Sequence, residues 1–234
     1  MAKKRKGLLI SIDGIDSSGK ETQVKHLVDR LRNQGFTVHT FTTPDYNTKS
    51  GQELKKRLQN KIGDWEKTPW QEKLRYFADN RVEHKQEVMN ALAKGEIVIY
   101  DRYVPSSLAF MTIEANAEDP TSTRDAVHQT VKEQEYKQNQ MPQEDASIFL
   151  DLDYKIAVTL LEKRKEKLAD EDEYTDHIKI QQRLYNEYDK LYSNEPEHYI
   201  RIRCTDNEDL LSITDIAELV WTALQKRFPH LIKK

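Results

Sequence analysis

The sequence predicts an α/β fold in which a five-stranded parallel sheet carries helices on both faces. Three observations predict it. Five short β-rich runs recur along 234 residues, helical periods separate them, and a glycine-bearing loop joins the first run to the first helix. The strand candidates are Leu8–Asp13, Thr37–Thr42, Glu96–Asp101, Ile148–Asp153 and Tyr199–Cys204.

Between the strands the period changes. Lys20–Asn33 places Val24, Leu27, Val28 and Leu31 on one face, and Gly35 stands where a helix C-cap is expected. Trp70–Lys94 reads as one long helix carrying Leu74, Phe77, Val88 and Leu92, ended by Gly95. Ile156, Leu160 and Leu161 mark another helix. Ile180, Leu184, Tyr188 and Leu191 mark a further one, and Ile213–Leu224 the last. Core patterning does not explain the polar segment 114–145, which reads as helical in part. The run Lys163-Arg164-Lys165 followed by Asp170-Glu171-Asp172-Glu173 reads as a solvated face or, lying between two helices, as a mobile lid over about 163–176.

Length suits one domain over 1–234, and no repeat or low-complexity linker divides it. A net charge of -3 provides no basic field to make nucleic acid the main partner. Cys204 is the single cysteine, so no internal disulfide forms, which fits a reducing cytoplasm. The apolar run after the basic residues Lys3 to Lys6 is stopped by Asp13, too short for a signal peptide or a membrane span.

The strongest motif is Gly14-Ile15-Asp16-Ser17-Ser18-Gly19-Lys20-Glu21-Thr22, between a strand and a helix as a P-loop requires. Gly14 and Gly19 permit turns that a side chain would obstruct. The N–H groups of the loop and the helix N-terminus then face the phosphates of ATP, and Lys20 reaches the outer two. One position departs from the usual pattern: Glu21 stands where a Ser or Thr ligates Mg²⁺. The expectation is therefore that Mg²⁺ is held chiefly by ATP oxygens and water.

Asp101-Arg102-Tyr103 closes the third strand at the carboxyl edge, where ligands collect in open parallel sheets. Asp101 can orient magnesium-bound water, and Arg102 can clamp phosphate oxygens with its planar fork. Phe77 and Arg81 lie one helical turn apart. They read either as a ring and donor for a base or as a core Phe beside a surface Arg. Ser106, Ser107 and Phe110 fall near the same strand end, where Ser106 could instead cap a helix and Phe110 lie in the core.

The segments GIDSSGKETQ, TPDY, LRYFADNRVEH, DRYVPSSLAF and SIFLDLD, in this order and spacing, resemble the thymidylate kinase family. The closing stretch IRIRCTDNEDLLSITDIAELVW is similar as well. The P-loop is shared by many nucleotide-binding proteins, whereas FADNRVEH paired with DRYVPSSLAF is far more specific. The resemblance implies the sheet order 2-3-1-4-5, a homodimer and transfer of the γ-phosphate of ATP onto dTMP. It implies that Lys20 stabilises the transferring phosphoryl group, that Asp16 receives the sugar 3′-hydroxyl and that Arg102 clamps the acceptor phosphate. It further implies that Phe77 stacks on thymine, that Arg81 donates to O4 and that Ser107 reads the base edge. Pro44 and Tyr46 lie in the loop nearing the acceptor phosphate, and Phe110 falls where many members crowd out a ribose 2′-hydroxyl.

Three residues depart from the family pattern. Asp45 stands where relatives often place an arginine, so it must point away or bind through a cation. Met111 replaces a base-contacting glutamine of some members, and Phe110 lacks a tyrosine hydroxyl. Neither Ser17 nor Ser18 supplies a P-loop arginine, which leaves Arg164, with Lys163 and Lys167, as the expected lid cation. Two rivals stand beside the dTMP kinase reading: a broader deoxynucleotide or deoxynucleoside kinase, and a non-catalytic P-loop module. A guanine-reading Asn-Lys-x-Asp is not met, since Asn60-Lys61-Ile62-Gly63 lacks the Asp.

Overall fold

The computed structural model describes residues 7–165, 178–207 and 209–231. Its strands β1 (Leu8–Asp13), β2 (Val38–Thr42), β3 (Ile97–Asp101), β4 (Ala146–Asp151) and β5 (Tyr199–Arg203) run parallel in the order β2-β3-β1-β4-β5. This is the order that the family resemblance implies. Strands covered on both faces read as unbroken apolar runs. Accordingly Leu9, Ile10, Ile12, Val98, Ile99, Ile148, Phe149 and Leu150 are wholly buried. The connections diverge on either side of β1, so a crevice opens beyond its carboxyl end.

β4 begins two residues earlier than the sequence pattern suggests. Ala146 already pairs with Ile10, while Leu152 turns back to donate to the Leu150 carbonyl at 3.1 Å.

The helices follow in chain order. α1 (Lys20–Asn33) spans its expected range. α2 (Lys49–Leu58) has no counterpart in the sequence reading, although Thr48 caps it by accepting from the Gly51 N–H at 3.1 Å. Its Leu54 and Leu58 pack with Trp65 into a second, smaller core.

The helix expected over Trp70–Lys94 is two helices, α3 (Trp70–Glu83) and α4 (Lys85–Lys94). The break falls at His84, whose N–H bonds the Arg81 carbonyl three residues back at 3.1 Å. Its ring is held by Asp45 at 3.1 Å and lies 5.0 Å from Phe41, so tertiary contacts set the change of direction.

α5 (Val104–Glu118) starts with Pro105 in its first turn. Tyr103, not Ser106, occupies the cap position, so Ser106 is not the helix cap. α6 (Arg124–Lys132) and a π-helical turn over Glu133–Gln138 fill the polar segment 114–145, burying Val127, Val131 and Glu135. α7 (Tyr154–Lys165) and α8 (Ile178–Asn194) flank the expected lid, of which residues 166–177 lie outside the described residues, as does the side chain of Arg164. A two-residue hairpin, β6 (Thr205–Asp206) and β7 (Asp209–Leu210), precedes α9 (Ile213–Arg227). Among the described residues no helix is long and apolar enough to cross a membrane.

The smaller core yields a stability prediction. Truncating the buried Leu54 to Ala should cost about 2–5 kcal/mol, read as a lower urea midpoint. An unchanged midpoint would mean that α2 and Trp65 unfold apart from the rest.

Candidate active site

The loop after β1 is shaped by backbone that only certain residues tolerate. Gly14 has φ 150°, and a Cβ there would lie 2.9 Å from Ser18 Oγ and 3.1 Å from the Leu150 carbonyl. Gly19, at φ 85°, turns the chain into α1. Ser17 adopts φ 59°, and its buried hydroxyl has no partner among the described residues. Backbone curled in this way is of the kind that forms anion-binding nests.

Lys20 folds back over this loop, 7% exposed, with Nζ donating to the Ile15 carbonyl at 2.7 Å. Burial, aided by the charge of Arg102, lowers its pKa to about 8, against the pull of Asp16 and Asp101. Glu21 is exposed and Thr22 half-buried in the first turn of α1.

Arg102 leaves β3 with φ 65°, a conformation that a non-glycine residue adopts at a cost. Its N–H donates to the Ile12 carbonyl at 3.0 Å, which fixes the turn against β1. The guanidinium then reaches the phosphate loop, where Nη1 donates to the Gly14 carbonyl at 3.1 Å and Nη2 to Asp16 Oδ1. Asp16 is held from its other side by Gln181 of α8. Gln181 Nε2 donates to Asp16 Oδ2 at 2.9 Å, and the Asp16 N–H donates to Gln181 Oε1 at 3.0 Å. Burial disfavours the charge of Asp16, but Arg102, Lys20 and Gln181 outweigh it and hold the carboxyl below its ordinary value. Burial raises Asp101 instead, despite Lys20 and Arg102.

A cavity of about 180 Å³ opens beside this charge pair. Every residue expected on the acceptor side lines it: Asp16, Pro44, Tyr46, Phe77, Arg81, Arg102, Ser106, Ser107 and Phe110. Phe77 stands edge-on to Phe110, with ring centres 5.9 Å apart, and edge-on to Trp65 at 6.2 Å. The Ser106 hydroxyl is already engaged, donating to Asp13 Oδ1 at 2.6 Å and lying 2.8 Å from the Tyr188 hydroxyl.

Arg81 is no surface residue. It is 1% exposed, ion-paired with Glu135, and Nη2 donates to Ser107 Oγ at 2.5 Å. Burial opposes its charge, but Glu135 outweighs that and raises its pKa.

Asp45 points away from this cavity. Its carboxylate is taken by His84 and by Asn47, whose N–H donates at 2.9 Å. It lines a separate cavity of about 440 Å³ with Glu21 and Asp101.

The sequence reading missed Asn80, Gln181, Leu184 and Tyr188. Wholly buried Asn80 pins the loop before α2: Oδ1 accepts from the Asp45 N–H at 2.7 Å and Nδ2 donates to Thr48 Oγ1 at 2.8 Å. Gln181, Leu184 and Tyr188 all line the cavity from α8. Their spacing of three and four residues was the available signal, but it marks a buried face without saying what that face meets.

Sheet order, phosphate loop and adjoining cavity define a protein of the P-loop nucleotide-binding class. The family model for thymidylate kinase matches residues 12–212. The chain belongs to the thymidylate kinase family. It is 37% identical over 107 residues to a probable thymidylate kinase of Pyrococcus abyssi, a match covering 45% of this chain and 52% of that one. The chain thus spans about half the length of that relative. A probable thymidylate kinase of Pyrococcus horikoshii is 29% identical over 92% of this chain and 96% of its own. The thymidylate kinase of Schizosaccharomyces pombe is 30% identical over 80% and 81% respectively.

The state of Lys20 is measurable. A polyphosphate beside the amine favours its charged form, so binding ADP at about pH 8.5 should draw a proton onto Lys20, with little uptake well below pH 8. Calorimetry in buffers of different ionisation heat reads this directly. Heats independent of buffer at the higher pH would show that Lys20 does not meet the phosphates.

Proposed function

We propose that the chain transfers the γ-phosphoryl group of ATP to dTMP, giving ADP and dTDP. One observation supports this most: a single cavity carries Phe77, Arg81 and Ser107 for a base and, in the same wall system, Arg102 and Asp16 from the phosphate loop's own network. An acceptor lying across that cavity would present its phosphate to the loop that holds the donor.

The chemistry needs no covalent intermediate, since a monophosphate is already an oxyanion nucleophile. The protein's contribution is placement and neutralisation of developing charge. Lys20 serves the donor phosphates. Among the described residues Arg102 uses one N–H of each terminal nitrogen, on Gly14 and Asp16, which leaves further donors of its fork to take acceptor oxygens. Asp16, kept ionised, accepts from the sugar 3′-hydroxyl. Phe77 supplies a face for stacking, and Arg81 a donor for a carbonyl.

Mg²⁺ fits the oxygen donors present only as an ion bound mainly through nucleotide and water. Glu21 gives no hydroxyl, Asp101 is the carboxylate nearest in role, and the described residues contain no group of three side chains able to hold a metal alone. When bound, it would neutralise charge on the phosphate oxygens.

A coupled ADP-release assay with dTMP, dUMP, dCMP, AMP and thymidine tests the proposal. The expected order puts dTMP first and dUMP a few-fold lower, because a buried methyl is worth only about 0.8 kcal/mol. Thymidine and AMP should be inactive, and a preference for thymidine would make the chain a nucleoside kinase. Lys20→Ala should lose about 2.7–4 kcal/mol of barrier lowering while keeping its circular dichroism spectrum. Near wild-type turnover in that variant would remove the phosphate loop from the mechanism.

A further inference from the structure

Arg81 and Glu135 are separated by 54 residues and meet with almost no solvent contact, at 1% and 0% exposure. Glu135 Oε1 accepts from Arg81 Nε at 3.0 Å and also from Nη2, and Ser107 Oγ accepts from Nη2 as well. One edge of the guanidinium fork is thereby fixed. Nη1 makes no hydrogen bond to the described residues, and Arg81 lines the acceptor cavity. Glu135 itself comes from the π-helical turn over Glu133–Gln138, a local irregularity that places this carboxylate inside the fold.

The pair is poorly suited to a purely stabilising role. A buried ion pair offsets its desolvation only when its remaining lone pairs are also satisfied. Glu135 Oε2 is buried with no hydrogen-bond partner among the described residues, so this one is incomplete there. What the carboxylate does supply is orientation and charge balance. With Nε and Nη2 held, Nη1 is the donor left for a ligand. With the charge of Arg81 cancelled, this wall of the cavity is neutral, while Lys20 and Arg102 border the phosphate loop. Arg102 is itself paired with Asp16, so the incompletely compensated charge is that of Lys20 at the phosphate loop. A monophosphate is then drawn in phosphate-first toward the loop, and Arg81 meets the base.

We infer that Glu135 is a positioning residue for base selection: it turns Arg81 so that Nη1 faces a carbonyl of the acceptor base and rejects an amino group at the same place. This rests on the proposed dTMP kinase reading and names the residue behind its specificity. A base carbonyl completes the fork, whereas an amino group leaves a buried charged donor unpaired, at a cost above that of a neutral one.

The test compares dTMP with dCMP in two independent measurements, equilibrium binding by calorimetry and turnover with ATP, in wild type, Glu135→Gln, Arg81→Met and the double variant Arg81→Met/Glu135→Met. Wild type should bind dTMP more tightly than dCMP. Glu135→Gln should lower that preference about tenfold in both Kd and kcat/KM, while KM for ATP stays put. The double variant replaces a buried ion pair by apolar groups, a change that proteins often accept without loss of stability, and it should show the same lowered preference as Arg81→Met alone. A purely structural Glu135 would change the melting temperature but not the base ratio. The inference is overturned if folded Glu135→Gln keeps the wild-type ratio, if the double variant falls below Arg81→Met, or if wild type binds both nucleotides equally. Preferential binding of dTMP without turnover would sink the proposed reaction but leave the role of Glu135 standing on the binding ratios.

Discussion

The site depends on one buried carboxylate, that of Asp13, where β1 gives way to the phosphate loop. Oδ1 accepts from the Tyr103 N–H at 3.2 Å and from Ser106 Oγ, while Oδ2 accepts from Ser11 Oγ at 2.6 Å and Ser147 Oγ at 3.0 Å. Two of these hydroxyls pass the connection on, Ser106 to Tyr188 and Ser147 to Tyr192, both on α8. The carboxyl end of β1 is thus tied to β4, to the turn carrying Arg102 and to the helix carrying Gln181. A carboxylate with both oxygens satisfied in a low-dielectric interior is held strongly, and each partner is fixed in turn. The phosphate loop begins one residue later and inherits that position.

From this anchor the charges are arranged in sequence. Arg102 reaches back to Gly14 and Asp16, Gln181 holds the other oxygen of Asp16, and Lys20 lies folded over the loop. Of the three described cations at the site, two have a carboxylate partner among the described residues, Asp16 for Arg102 and Glu135 for Arg81, and Lys20 has none in direct contact. The incompletely compensated amine is therefore the one that borders the expected triphosphate. That pattern directs the most strongly charged ligand to the loop and leaves the more apolar part of the cavity, with Phe77 and Phe110, to a neutral ring.

Much of this was legible in the sequence because its signals are local. Parallel strands announce themselves as apolar runs, and a phosphate loop needs its glycines and lysine at fixed offsets. The acceptor-side residues were found through family resemblance, and all of them line one cavity. What stayed hidden depends on partners distant in the chain. Nothing near Glu135 reveals that its carboxylate belongs to Arg81, because polar stretches normally read as solvated. The break at His84 follows from Asp45 and Phe41, 39 and 43 residues away by number, and leaves no trace in the periodicity of either helix. α2 was missed although Thr48 and the pair Leu54 and Leu58 carried a cap and a helical spacing, because only two apolar side chains mark its buried face, the third buried residue being Gly51.

The central claim is that the frame hung on Asp13 brings a donor and an acceptor phosphate together, rather than a donor and water. The most direct measurement is the product itself, followed by phosphorus NMR of a mixture of the chain, ATP, Mg²⁺ and dTMP. The account predicts that the dTMP resonance disappears as the paired resonances of a dTDP diphosphate grow in step with ADP, without accumulation of inorganic phosphate. ATP converted to ADP with inorganic phosphate and unchanged dTMP would contradict it.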